Sequence, residues 1–271
     1  MKMYALPSII CLYTPENLGT LDIKEIAEYV RKKFRMAEVK VREEFFSFFL
    51  SLVAAERREE EIENIAKKLA GARIRDIKKK DAEISPLLME VEHEKRLIRG
   101  ESRAFGILYD GIKLSNIYRE LIVAEEKTWS YCHIVFTNRL FATWDESDRR
   151  YHARVSIYSF PSLISTTGIV EAPAKPRDFY LKLQMGFDIN FLKKEYKGQF
   201  IDYDDERMTE VMKGYVMQAL FFHTTGEAFC DDVNCRLFNA HWQEEVIHAQ
   251  LKSKYEFCPK HRKTLEEINE R

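Results

Sequence analysis

Three cysteines and a histidine late in the chain, Cys230, Cys235, Cys258 and His261, are the residues whose chemistry is easiest to name. Three thiolates and one imidazole form the ligand set of a closed, four-coordinate zinc site, with no position left for water or substrate. Their spacings are loose, so the residues alone leave the metal open. Just before them runs Ala219-Leu-Phe-Phe-His223-Thr-Thr-Gly226-Glu-Ala-Phe229-Cys230. His223 is an isolated imidazole beside Ala219, Leu220, Phe221 and Phe222, and a single imidazole does not hold a metal. Further ligands could come from Glu227, from His152, or from His241, Glu245 and His248, which share a face if residues 240–252 are helical. A solvated helix surface is the simpler account of that face. Glu245-Val-Ile-His248 is also half of a di-iron carboxylate motif, but the second Glu-x-x-His is missing. Asp145, Glu146 and Asp148, next to Arg149 and Arg150, read as a solvated turn. Ser165, Thr166 and Thr167 have no evident base, so nucleophilic catalysis lacks support.

The stretch around His223 also has the frame of a zinc-protease site. Such a site needs two His one helical turn apart, so that both imidazoles meet one metal, and a Glu beside the first as general base. In the metzincin branch the helix breaks at a Gly, and a third His follows six residues after the second. His223 and Gly226 fit this frame, whereas Ala219 and Phe229 stand in place of the first and third His, and Leu220 in place of the Glu. The cysteines set the register. Archaemetzincins, a metzincin family, carry Cys directly after the third His, another Cys after a four-residue gap, and a C-x-x-C further on, which together hold a second zinc. Cys230 and Cys235 have that gap, and Cys258 opens a C-x-x-H. The chain therefore resembles an archaemetzincin over about its last 130 residues, and only faintly before them. It departs from the family at every catalytic position except His223, and has Leu237 where the family has Met.

The resemblance implies a degenerate, inactive catalytic site at Ala219, Leu220, His223 and Phe229, and one structural zinc on Cys230, Cys235, Cys258 and His261. It also implies a cleft that still binds a peptide or protein partner by strand addition, which needs only backbone groups and side-chain pockets. Residues 151–158 are the candidate strand. An active zinc metallopeptidase with a rebuilt site, using His223 with Glu227, His152 or the His241, Glu245 and His248 face, is the alternative.

The elements that must position these residues follow from periodicity. Residues 8–14 and 37–42 read as strands and residues 23–34 as a helix. Residues 43–69 read as one long helix, apolar first and then charged with a single apolar stripe. Residues 78–99 read as a lysine-rich turn followed by a strand or short helix, residues 103–109 as a strand and residues 112–123 as a helix. Residues 133–144, 145–150 and 151–160 read as strand, turn and strand. Acids at 202–206 precede a helix over 207–222, where they favour its dipole. The expected fold is α+β: a metzincin-like mixed sheet, an active-site helix, and a zinc-tied C-terminal subdomain. Residues 1–130 form an N-terminal α/β part with a helical insertion and residues 131–271 the metzincin-like core, in one continuous domain.

Composition narrows the function classes. With 45% hydrophobic and 32% charged residues over 271 positions, the chain can bury a core and does not resemble a disordered one. Net charge is −1 with acids and bases interspersed, so neither nucleic acid nor an anionic membrane is expected as a partner. The apolar run at residues 45–55 is about half the roughly twenty residues a membrane span requires. Residues 1–7 lack the features of an export signal. Five cysteines, three of them clustered, suit metal binding in a reducing cytoplasm better than disulfides, with Cys11 and Cys132 as buried thiols.

Overall fold

The first β-branched run forms strand β1 (Ile9–Tyr13). In the computed structural model, which describes residues 5–80 and 85–270, β1 leads to helix α1 (Ile23–Lys33) and strand β2 (Glu38–Arg42). Asp22 starts α1 by accepting from the Glu25 amide at 3.0 Å. Next come α2 (Phe45–Leu52), α3 (Arg58–Gly71), α4 (Leu88–Ile98), β3 (Leu108–Asp110) and α5 (Gly111–Leu121). The strands β4 (Tyr131–Thr137), β5 (Leu140–Asp145), β6 (Arg150–Arg154), β7 (Ser156–Ile157) and β8 (Ser162–Ser165) follow. Helices complete the chain: α6 (Thr166–Glu171), α7 (Arg177–Gln184), α8 (Ile189–Glu195), α9 (Met208–Thr225), α10 (Gln243–Ile247) and α11 (Pro259–Asn269).

The larger sheet has the order β2-β1-β4-β8-β7, parallel throughout except for β7, which pairs antiparallel with β8 and ends the sheet. A second sheet has the order β3-β5-β6. Mixed sheets with packed helices make the chain α+β, as its sequence implies. Alternation along β1 sends Ile10 and Leu12 to one face and Cys11 and Tyr13 to the other. The first face packs on α1 and α9 together with Ile134 and Phe136 of β4. The second packs on α2, α3 and α5, with Val135 and Leu163. A strand buried on both faces reads as a continuous apolar run, which is why β1 and β4 stand out in the sequence.

Four expectations need correction. The strand over residues 103–109 is confined to its end, as β3 at Leu108–Asp110. The helix over residues 43–69 is broken, because Val53 and Ala54 are extended and the Val53 carbonyl accepts from the Arg58 side chain at 3.1 Å. The apolar first part thereby turns into the core, where Phe45 and Phe46 pack on Tyr118, while α3 keeps its single stripe. The strand over residues 133–144 is two strands in two sheets. At the break the Glu16 carboxylate takes the Asn138 amide at 2.6 Å, and the Arg139 amide turns to the Thr137 hydroxyl at 3.1 Å. The strand over residues 151–160 divides likewise, so that β6 pairs with β5 and β7 moves to the edge of the larger sheet. The turn expected after residue 78 lies partly outside the described residues; beyond it, α4 is the helical option.

Candidate metal centre and the site helix

Helix α9 is the spine of the site. Its C-terminus is set by Gly226, whose φ of 78° is left-handed, a conformation that favours glycine, and whose amide reaches back to the Phe222 carbonyl at 2.8 Å. The turn carries the chain into Phe229 and Cys230. Cys230 forms an isolated parallel bridge with Phe238, its amide bonded to the Leu237 carbonyl at 2.9 Å. Between them a tight turn places Cys235, with the Cys235 amide on the Asp232 carbonyl at 2.9 Å. Asp232 also donates its amide to the Cys230 sulfur at 3.4 Å, and its carboxylate accepts from the Tyr255 hydroxyl. Cys258 stands at the start of α11, where Pro259 occupies the first turn without sacrificing a helical hydrogen bond. His261 lies on that same turn.

These four side chains converge. The ligand atoms of Cys230, Cys235, Cys258 and His261 all lie within 4.8 Å of one another. Cys230 Sγ is 3.9 Å from Cys258 Sγ, and His261 Nδ1 is 3.6 Å from Cys235 Sγ and 3.1 Å from Cys258 Sγ. A tetrahedral ion with Zn–S near 2.3 Å and Zn–N near 2.0 Å would give edges of about 3.8 Å between sulfurs and about 3.5 Å from sulfur to nitrogen. The cluster has the dimensions and the donor set of a metal site, and Nδ1 is the histidine donor. Burial pushes the Cys235 thiol up to about 12 and raises Cys230 as well. A cation would displace those protons, so metal binding and folding are linked here.

Ala219, Leu220, His223 and Phe229, the positions that the resemblance singles out, are differently placed. Ala219 and Leu220 have no exposed surface and belong to the core beneath the larger sheet. His223 donates Nε2–H to the Trp129 carbonyl at 2.9 Å, and burial holds its pKa below the ordinary value. Phe229 is half exposed and packs on Tyr158, ring centroids 5.6 Å apart.

The other proposed ligands are scattered. Glu227 pairs with Lys260, and His152 with Asp148 in the β5–β6 turn. Residues 240–252 are not one α-helix: α10 starts after His241, and His248–Lys252 is a π-helical turn. The reason is local, since the Glu245 carboxylate accepts from the His241 and Trp242 amides and ties residues 241 and 242 to the start of α10. His248 meets Asn234. Among the described residues none of these joins a cluster of potential metal ligands.

One such cluster was not apparent from the sequence: Cys11, Glu126 and His133. The Glu126 carboxylate there holds the Arg42 guanidinium at 2.7 and 2.5 Å, and His133 Nδ1 lies 3.1 Å from the Tyr13 hydroxyl. A cation would have to displace the guanidinium, so this is a buried polar network. Gln218 was also missed. It accepts from Tyr158 and donates to the Phe238 carbonyl at 3.0 Å, joining α9 to the strand region and to the metal segment. A lone amide in the apolar run of α9 is the sequence signal for it. Ala153–Ser156, Tyr215, Gln218, Phe229 and residues 238–241 enclose a cavity of about 120 Å³ beside β7.

Residues 6–268 match a family described as "Probable metallopeptidase family (DUF6775)". The chain belongs to that family. The match runs through both sheets, α9 and the metal cluster, so the N-terminal half is as much part of it as the better-patterned C-terminal half. Comparison with curated proteins and with solved structures finds no match. Among the described residues no helix is long and apolar enough to cross a membrane.

Proposed function

We propose that this chain is an archaemetzincin-like member of its family that has lost hydrolysis and retains a peptide-binding cleft, with one structural zinc on Cys230, Cys235, Cys258 and His261. The observation that carries the loss of hydrolysis is the placement of the α9 residues. Ala219 and Leu220 offer neither ligand nor base and are enclosed in the core, and the Nε2 nitrogen of His223 is committed to a carbonyl. Activating water for peptide hydrolysis calls for a metal and a base together. Zinc suits the cluster because three thiolates and an imidazole in a tetrahedron are its structural ligand set.

The peptide reading is supported by β7. It ends the larger sheet, so the backbone groups of its outer edge are not used in that sheet, and the cavity beside it is walled by Tyr215, Gln218 and Phe229. An extended peptide adding to this edge would place alternate side chains toward that cavity. The decisive experiment incubates the purified protein with a fluorogenic peptide library, with and without a chelator, and follows peptide binding by NMR. Chelator-sensitive cleavage overturns the inactive reading. Peptide-induced shifts that leave the β7 amides untouched overturn the edge-strand reading.

A further inference from the structure

The larger sheet reverses its winding between β1 and β4. The chain leaves β1 for β2 on one side and leaves β4 for β8 on the other, so the loops after these two parallel strands part. In open parallel sheets the crevice at the carboxyl ends of such a pair is where ligands settle. Two cavities of about 360 and 270 Å³ open here and share Asn17, Arg103, Phe105, Asn138, Thr167 and Tyr203 as walls. Neither has a wall in common with the cavity beside β7. The floor of the crevice is held by Asn138, whose side chain accepts from the Asn17 amide at 2.6 Å and donates to the Asn17 carbonyl at 3.1 Å and the Thr166 hydroxyl at 2.6 Å. The Asn138 carbonyl takes the Thr167 hydroxyl at 2.7 Å. The loops after β1 and β4 and the start of α6 are thus tied through one residue, and a site already ordered costs less to fill.

The groups left over in this crevice indicate its ligand. The Glu16 carboxylate is occupied by the Arg139 guanidinium, the Thr137 hydroxyl and the Asn138 amide. One cation and one anion remain. Arg103 and Asp204 line the same cavity, yet among the described residues the side chain of neither has an ion-pair or hydrogen-bond partner. Gly19 has a left-handed φ of 53°, and a Cβ there would stand 3.0 Å from Asp204 Oδ1, so the glycine gives that carboxylate its space. Apolar side chains complete the walls. Leu97 and Met208 are buried, Phe105 is 82% exposed with its ring open to a ligand, and Tyr203 is anchored by its hydroxyl on Glu171 at 2.9 Å. An unpaired guanidinium and an unpaired carboxylate in one cavity suit a small molecule that carries both signs, and the apolar walls suit one with an apolar body. A nucleotide would bring no cation to Asp204.

We propose that this crevice binds a free α-amino acid with a large apolar side chain, its carboxylate on Arg103, its ammonium on Asp204 and its side chain against Phe105 and Tyr203. The test titrates L-phenylalanine into the full chain and follows the backbone amides by NMR. N-acetylphenylalanine, which lacks the ammonium, and phenylalaninamide, which lacks the carboxylate, serve as the paired probes. Shifts at the Asn17, Asn138 and Thr167 amides are expected with phenylalanine, with a Kd on the order of 1 mM. Each capped compound should bind about tenfold more weakly. Arg103→Gln should weaken phenylalanine by about tenfold and leave phenylalaninamide unaffected, and Asp204→Asn should do the same for phenylalanine and spare N-acetylphenylalanine. Both side chains are exposed, and Asn tolerates the left-handed backbone of Asp204, so unchanged thermal melts will confirm that the variants fold. No shift at these amides, equal binding of the capped compounds, or variants that bind phenylalanine as the unmodified protein does would each overturn the inference. So would adenosine monophosphate shifting the same amides at lower concentration than phenylalanine, which would assign the crevice to a nucleotide.

Discussion

The Phe221 ring meets the His261 imidazole edge-on, with centroids 5.3 Å apart and planes at 88°. Phe221 belongs to α9 and His261 to the cysteine cluster, so the helix that carries Ala219, Leu220 and His223 is braced directly by a metal-ligand candidate. Phe257 packs on the same ring at 6.1 Å.

Metal removal should therefore loosen α9 as well as the C-terminal segment. One zinc per chain is expected by elemental analysis, and Cys258→Ala should cost on the order of 3 kcal/mol or more, since ligand binding is coupled to folding. Hydrogen exchange after chelation should rise in the last turns of α9. An unchanged melting temperature for Cys258→Ala, or zinc-free protein of full stability, would count against the site.

His223→Ala should leave metal content untouched. It removes a bond to the Trp129 carbonyl, and an expected loss of about 1–2 kcal/mol reflects that carbonyl's lost partner. Denaturant unfolding together with zinc analysis of the variant checks both points, and loss of zinc would show that His223 is a ligand.

Stability should fall in mild acid through His133. Burial pushes this imidazole from 6.5 down to about 4, so the unfolded chain takes up the proton first as pH drops. The contribution is complete above about pH 6.5 and is lost on the way to about pH 4, amounting to about 3 kcal/mol. His133→Gln should flatten that part of the pH profile of thermal melting.

Gly214→Ala should destabilise by about 1–3 kcal/mol through overpacking. A Cβ there would sit 1.9 Å from Gln250 Oε1, and Gln250 is held by its bond to the Arg236 carbonyl at 2.9 Å. Because the clash is with one side chain, Gln250→Ala should recover part of the loss in the double variant. A double-mutant cycle showing no coupling between the two would refute this packing account.

What could be read from sequence divides by range. Gly226 and the long apolar helix are local signals, and each indicated an element that the structure contains, whereas the cysteine spacing alone was too loose to fix the cluster that the fold brings together. The two-sided burial of β1 and β4 left continuous apolar runs that no competing pattern obscured. The break at Asn138 and Arg139 was not legible, because it depends on Glu16, whose carboxylate also pairs with the buried Arg139 guanidinium. Nothing near residue 139 announces a partner more than a hundred positions away. Helices α7 and α8 escaped notice for a different reason: their apolar residues occupy both buried and exposed positions, so neither helical periodicity nor strand alternation stands out.

The sheet order also has a consequence in time. Strand β1 pairs with β2 within the first forty-odd residues, but its other neighbour is β4, and the Tyr13 to His133 contact across that pair spans 120 positions. During synthesis the backbone edge of β1 that pairs with β4 must wait while more than a hundred residues are added. Closing so long a loop is slow, and an unpaired strand edge is a template for pairing with the wrong chain. This protein should accordingly emerge from the ribosome as a client of holding chaperones, and fragments ending before β4 should aggregate.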